Sequence, residues 1–128
     1  MAKILVIDDS KMVRSIIHKI LNNAKHEVIE EADGIEAIEA LKSETGIKMV
    51  FVDIHMPNMD GLAFIREIVV NDKDLYPELS IAVVSTENRQ DLKNLAKLSG
   101  VIGWLEKPVS AEKIIELANK GLAANQGS

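Results

Sequence analysis

Apolar and polar positions along this chain repeat with two periods, and the changes of period mark out its elements. Lys3–Ile7 is an apolar run of strand length that stops at Asp8-Asp9-Ser10, any of which can cap a helix. Beyond it Met12, Val13, Ile16, Ile17, Ile20, Leu21 and Ala24 recur at helical spacing and define one apolar face. After a polar break, Glu27–Glu31 reads as a short second strand. Asp33-Gly34 then opens a second helix, with Ile38 and Leu41 facing inward and an end near Gly46. Met49-Val50-Phe51-Val52 is apolar on both faces, the mark of a central strand in a parallel sheet. It ends in Asp53, turns through Pro57, and gives way to a third helix from about Asp60 to Val70, with Asp60 as its cap.

A polar connection over Asn71–Glu78 leads to a fourth buried strand, Ser80–Ser85. A polar helix over Arg89–Leu98 is stopped by Gly100. Val101–Glu106 is the fifth strand, closed by Lys107-Pro108. The fifth helix starts at Ser110, a capping box with Lys113 in place of the ideal Glu, and its apolar face is Ile114, Leu117, Ala118 and Leu122. The tail 123–128 is expected to fray. Five strands alternating with five helices imply right-handed βαβ units and a doubly wound α/β fold with a parallel sheet. With no linker, repeat or low-complexity stretch, residues 1–128 read as a single domain.

Composition narrows the function. The 128 residues are 47% hydrophobic and 27% charged, as in ordinary globular proteins, and the net charge of −5 offers no basic stripe for nucleic acid. The absence of cysteine excludes disulfides, thiolate metal sites and a cysteine nucleophile. No run reaches the length of a signal peptide or a membrane span, so a cytoplasmic location is expected. His18 and His26 are expected to face solvent.

The chemistry gathers at strand ends. Asp8 and Asp9, Asp53, Ser85 and Lys107 each follow a predicted strand, and parallel strands bring such groups to one edge of the sheet. Three carboxylates held together must raise a pKa or recruit a cation. Hard oxygen donors without thiolate favour magnesium, with manganese as a substitute. A hydroxyl and an ammonium beside that cation suit an incoming phosphoryl group, for which a carboxylate can be the nucleophile.

These residues resemble a known family. Asp8-Asp9, Asp53 followed by Met56-Pro57-Asn58-Met59-Asp60-Gly61, Ser85, and Lys107-Pro108 stand in the order and spacing of the receiver domain of two-component response regulators. The resemblance covers the whole chain and is closest to the single-domain chemotaxis type, without an output domain. It implies a flavodoxin-like sheet of order 2-1-3-4-5. It implies Asp53 as phosphoacceptor, with magnesium on Asp9, Asp53 and the His55 backbone carbonyl, and Asp8 acting through water. Ser85 would bond a phosphoryl oxygen, Lys107 would pair with Asp53, and the Lys107-Pro108 bond would be cis. Trp104 occupies the place of the switch aromatic; as an alternative, it simply holds strand five against helix four. Arg89, Lys93 and Lys97 form a basic edge beside the output surface.

The sequence departs from the commonest pattern in three places: His55 two residues after Asp53, Ser85 in place of threonine, and Val109 in place of phenylalanine. His55, with Glu87 two residues after Ser85, is expected to frame the path of hydrolytic water and so set the phosphate lifetime. The implied function is a phosphorylation-controlled switch that is not an enzyme beyond its own phosphorylation and dephosphorylation. Its partners would be a histidine kinase and a downstream protein that docks on the face of helix four, strand five and helix five, and its state monomer or weak dimer. The alternative is a phosphorelay carrier serving a histidine phosphotransferase. An aspartate-nucleophile phosphatase is disfavoured because His55 stands where those enzymes place a second acid. A pseudo-receiver is disfavoured because the acid set is complete.

Overall fold

The structure is a computed structural model and describes residues 2–72 and 74–126. Its elements are β1 (Lys3–Ile7), α1 (Lys11–Asn23), β2 (Glu27–Glu31), α2 (Gly34–Ser43), β3 (Ile47–Val52), α3 (Gly61–Arg66), β4 (Ser80–Ser85), α4 (Gln90–Leu98), β5 (Gly103–Glu106) and α5 (Ala111–Gln126). The strands form one parallel sheet in the order β2-β1-β3-β4-β5. The order implied by the family resemblance therefore holds.

Alternation within the central strands builds two cores, because successive side chains of a strand point to opposite faces. Leu5, Ile7, Val50, Val52, Ile81 and Val83 pack under α2 and α3. Ile4, Val6, Met49, Phe51, Ala82 and Val84 pack under α1 and α5. Helix α4 is held more lightly: Ala96 is its buried residue, while Leu95 and Leu98 stay exposed. The registers Ile7↔Val52 and Val52↔Val83 bring the carboxyl ends of β1, β3 and β4 nearly level. The Asp53 N–H donates to the Ile7 carbonyl at 3.0 Å, and the Asp8 N–H to the Glu31 carbonyl at 3.1 Å. The ladder thus continues one residue past each strand and carries both acids with it.

Several expectations are corrected. Met12 and Ile16 are 71% and 46% exposed, because α1 meets the sheet through a narrower stripe that buries Ile17 and Leu21. Strand β5 is two residues shorter than expected, since the Val101 N–H closes α4 by donating to the Ala96 carbonyl. The third helix ends in a π-helical turn, Glu67–Asn71, whose wider ring is closed by the Asp72 N–H on the Glu67 carbonyl. Helix α5 carries on past the predicted apolar face and is helical to Gln126. The last two residues of the expected tail lie outside the described residues. His18 and His26 are half-buried and bonded, His18 to Glu30 and His26 to the Ala2 N–H.

Gly61 shows how tightly the turn after β3 is drawn. A Cβ there would lie 2.1 Å from the carbonyl oxygen of Asp53, a backbone atom that cannot swing aside. Gly61→Ala must therefore push the β3 end out of place. A loss of about 2–3 kcal/mol is expected, the upper range for overpacking, read as a fall in the urea midpoint. An unchanged midpoint would show that this turn can relax.

Candidate functional site

The carboxyl edge of the sheet holds the polar cluster. Asp8 is 1% and Asp53 6% exposed, whereas Asp9 lies open beside them. Carboxylate oxygens of all three lie within 4.8 Å of one another. Lys107, at the end of β5, reaches back over β4 to donate from Nζ to Asp8 Oδ2 at 2.7 Å and to Asp53 Oδ2 at 2.8 Å. The long flexible stem of lysine makes that reach possible. One ammonium against three carboxylates leaves the cluster with an excess of two negative charges, which a hard divalent cation would match.

Backbone donors complete the setting. Asp53 Oδ1 accepts the Ile54 N–H at 2.6 Å and, more weakly, the His55 N–H at 3.4 Å. Asp8 Oδ1 accepts the Ser10 N–H at 2.9 Å, and the Ser10 hydroxyl in turn caps α1 at Val13. Ser85 is fully buried at the end of β4, where its Oγ accepts the Glu87 N–H at 3.2 Å. That bond occupies a lone pair and leaves the hydroxyl proton free to be donated. The Lys107-Pro108 peptide is cis.

Burial disfavours ionisation of Asp8 and, as the largest influence, holds its pKa above the ordinary 3.8; the bond from Lys107 opposes this without cancelling it. For Lys107 burial works against the charge, but the bonds to Asp53 and Asp8 outweigh it and raise the pKa above 10.5. The sign for Asp8 follows from linkage. The folded chain binds the Asp8 proton more tightly than the unfolded chain, so the penalty is absent below 3.8 and develops as pH rises towards the higher folded value. Without metal, Asp8→Asn is therefore expected to raise the urea midpoint at neutral pH and flatten its decline over that acidic window. A lowered midpoint would mean that the bond with Lys107 outweighs burial.

His55 is 63% exposed, and its Nε2 meets Glu87 Oε1 at 2.9 Å, a bridge between the loop after β3 and the loop after β4. The Glu87 pKa is lowered, first by the bond to His55 and then by the Arg89 N–H. The Trp104 Nε1–H donates to the Glu87 carbonyl at 2.9 Å, and its half-buried ring joins the core under α2 and α3. Glu87 therefore touches both His55 and Trp104, a link that spacing along the chain does not reveal. Asp60 caps α3 through the Ala63 N–H. The basic edge of α4 is partly neutralised, with Arg89 on Asp91 and Lys93 on Glu106.

Two further anchors could not be read from the sequence. Asp33, which caps α2 at Glu36 as its place before Gly34 predicts, also accepts the Asn58 side-chain amide at 2.8 Å, which pins the loop carrying His55. Arg14 donates to the backbone carbonyl of Asp8. An arginine on the second turn of a helix that starts beside an acid pair was the available signal.

A sequence model described as the response regulator receiver domain matches residues 4–119. The chemotaxis protein CheY of Treponema pallidum is 32% identical over 116 residues, which span 89% of this chain and 78% of that protein. A chemotaxis protein CheY homolog of Campylobacter jejuni is 30% identical over 126 residues, 98% of this chain and 95% of that one. Among solved structures, Vibrio cholerae chemotaxis protein CheY4 is similar with a TM-score of 0.83 at 32% identity, covering 95% of this chain and 99% of that one.

Proposed function

Since the chain belongs to the response regulator receiver domain family, we propose that it is a phosphorylation-controlled switch whose phosphoacceptor is Asp53. The supporting observation is Lys107 Nζ bridging Asp8 and Asp53 within a cluster of three carboxylates. A carboxylate oxygen of Asp53 attacks the phosphorus of a histidine kinase's phosphohistidine. The P–N bond breaks, its electron pair stays on the imidazole, which takes up a proton, and an acyl phosphate forms. The Lys107 ammonium and the Ser85 hydroxyl stabilise charge that builds on the phosphoryl oxygens.

The oxygen donors fit magnesium: Asp9, Asp53 and the His55 carbonyl would hold it, with Asp8 acting through water, and manganese would substitute. When bound, the ion supplies charge neutralisation to the phosphoryl group. Contacts from Ser85 then favour one arrangement of the β4–α4 loop and Trp104, which alters the face of α4, β5 and α5 that docks a target protein. The names of the relatives favour chemotaxis as the pathway, and a kinase-fed receiver would work in the cytoplasm. Among the described residues no helix is long and apolar enough to cross a membrane. The His55–Glu87 bridge joins the loops that follow Asp53 and Ser85 and supports a role in phosphate lifetime, with occlusion of water the favoured direction.

Incubation with a small-molecule phosphodonor and magnesium, followed by intact mass, tests the proposal. One added phosphoryl group is expected, and none without magnesium. Absence of the adduct under both conditions would overturn it.

A further inference from the structure

The carbonyl of Asp8 lies between two elements and belongs to neither. Strand β1 has ended at Ile7, and the first backbone bond of α1 runs from the Arg14 N–H to the Ser10 carbonyl at 3.0 Å. A half-buried carbonyl without a donor is costly, and the donor here is a side chain. Arg14 Nη1 donates to the Asp8 carbonyl oxygen at 2.6 Å. The Arg14 side chain is 16% exposed, and its guanidinium is itself held, because Nε donates to Glu30 Oε1 at 3.3 Å. The second oxygen of Glu30 meets His18 Nδ1 at 2.7 Å. On the other side of the same residue, the Asp8 N–H is held by the carbonyl of Glu31.

We propose that Arg14 is a positioning residue that locks the Asp8–Asp9 peptide and so holds both carboxylates in register with Asp53. The inference rests on the proposed reading of that site. The carbonyl that Arg14 grips is part of the peptide plane whose other end carries the Asp9 Cα. Rotation of that plane would carry the Asp9 carboxylate away from the other two. Glu30 sets the direction of the guanidinium fork, and His18 steadies Glu30, so the edge strand β2 takes part in aligning a site it does not line. The ion pair with Glu30 also offsets the positive charge of Arg14, which would otherwise repel a cation at the acid cluster.

Steric positioning and simple charge predict opposite outcomes. If Arg14 acts by orientation, Arg14→Ala should weaken magnesium binding about tenfold, the lower end of what loss of a supporting contact costs a metal site. The magnesium concentration for half-maximal phosphorylation should rise in parallel, while the rate at saturating magnesium changes less than about twofold, a split expected when only binding of the ion is impaired. Arg14→Lys, which keeps a donor for the carbonyl, should recover most of the affinity. Magnesium titrations by calorimetry on the native chain and the variants, with circular dichroism as the folding control, read these effects. Unchanged or tighter binding in Arg14→Ala would overturn the inference, the latter marking Arg14 as a mere repelling charge. Should Arg14→Ala not fold, Arg14→Gln takes its place: it removes the charge and is too short to grip the carbonyl as the guanidinium does, so a weaker loss in the same direction is expected, and unchanged or tighter binding would overturn the inference. A native chain that binds no magnesium would instead overturn the reading of the site itself.

Discussion

Asp53→Asn is expected to abolish phosphoryl uptake: treated with the phosphodonor and magnesium, the variant should keep its unmodified mass. The substitution is close to isosteric, so the amide oxygen can still accept the Ile54 N–H that now meets Asp53 Oδ1 at 2.6 Å. What disappears is the anionic oxygen, and a neutral amide is a poor nucleophile towards phosphorus. The neighbouring acids are badly placed to substitute. Asp8 is almost wholly buried, with Oδ1 taken by the Ser10 N–H and Oδ2 by Lys107. Asp9 lies open and lacks the enclosed setting in which fixed donors act most strongly on a phosphoryl group. Circular dichroism should show the fold retained, since Lys107 keeps its bond to Asp8. A phosphoryl adduct on the Asn chain would move the acceptor elsewhere and remove Asp53 from that role.

Lys107→Ala should be the most damaging surface-distant change for stability, at about 3–5 kcal/mol, the range for removing one partner of a buried ion pair. The lysine serves two buried carboxylates at 2.7 and 2.8 Å, and no second ammonium or guanidinium among the described residues is placed to relieve both. The pH dependence carries a sign. The raised pKa of Lys107 means that its contribution is fully present below 10.5 and is lost as pH climbs through the higher folded value. In the variant, Asp8 loses the bond that opposed its burial and binds its proton more tightly still. The deficit relative to the native chain should therefore shrink as pH falls into the acid range. Excess magnesium should also recover part of it, because an ion bound only by the folded chain stabilises by mass action. Urea titrations at neutral and acidic pH, with and without magnesium, measure both effects. A deficit below about 1 kcal/mol at every pH would class the bridge with solvent-screened surface pairs.

The elements and their chemistry could be read along the chain because they depend on near neighbours. Alternation in Ile4–Ile7, Met49–Val52 and Ile81–Val84 is a local property of a strand buried on both faces, and Ser10, Asp33 and Asp60 announce helix starts because capping acts over three residues. The sequence by itself also placed Asp8, Asp9, Asp53, Ser85 and Lys107 at strand ends, and parallel strands carry such ends to one edge. Their mutual distances were another matter. That Lys107 grips Asp8 and Asp53 together depends on the sheet order, which pairs β1 with β3 and leaves β4 between β3 and β5. Likewise Met12 and Ile16 fit the helical period of α1 yet stay outside, because the width of a buried stripe is set by the surface it meets. Arg14 on the Asp8 carbonyl and Glu87 between His55 and Trp104 join residues through backbone groups of other elements. A side chain's donor count is written in the sequence, but the carbonyl it will find is chosen only when distant segments pack. Tertiary structure alone decided those contacts.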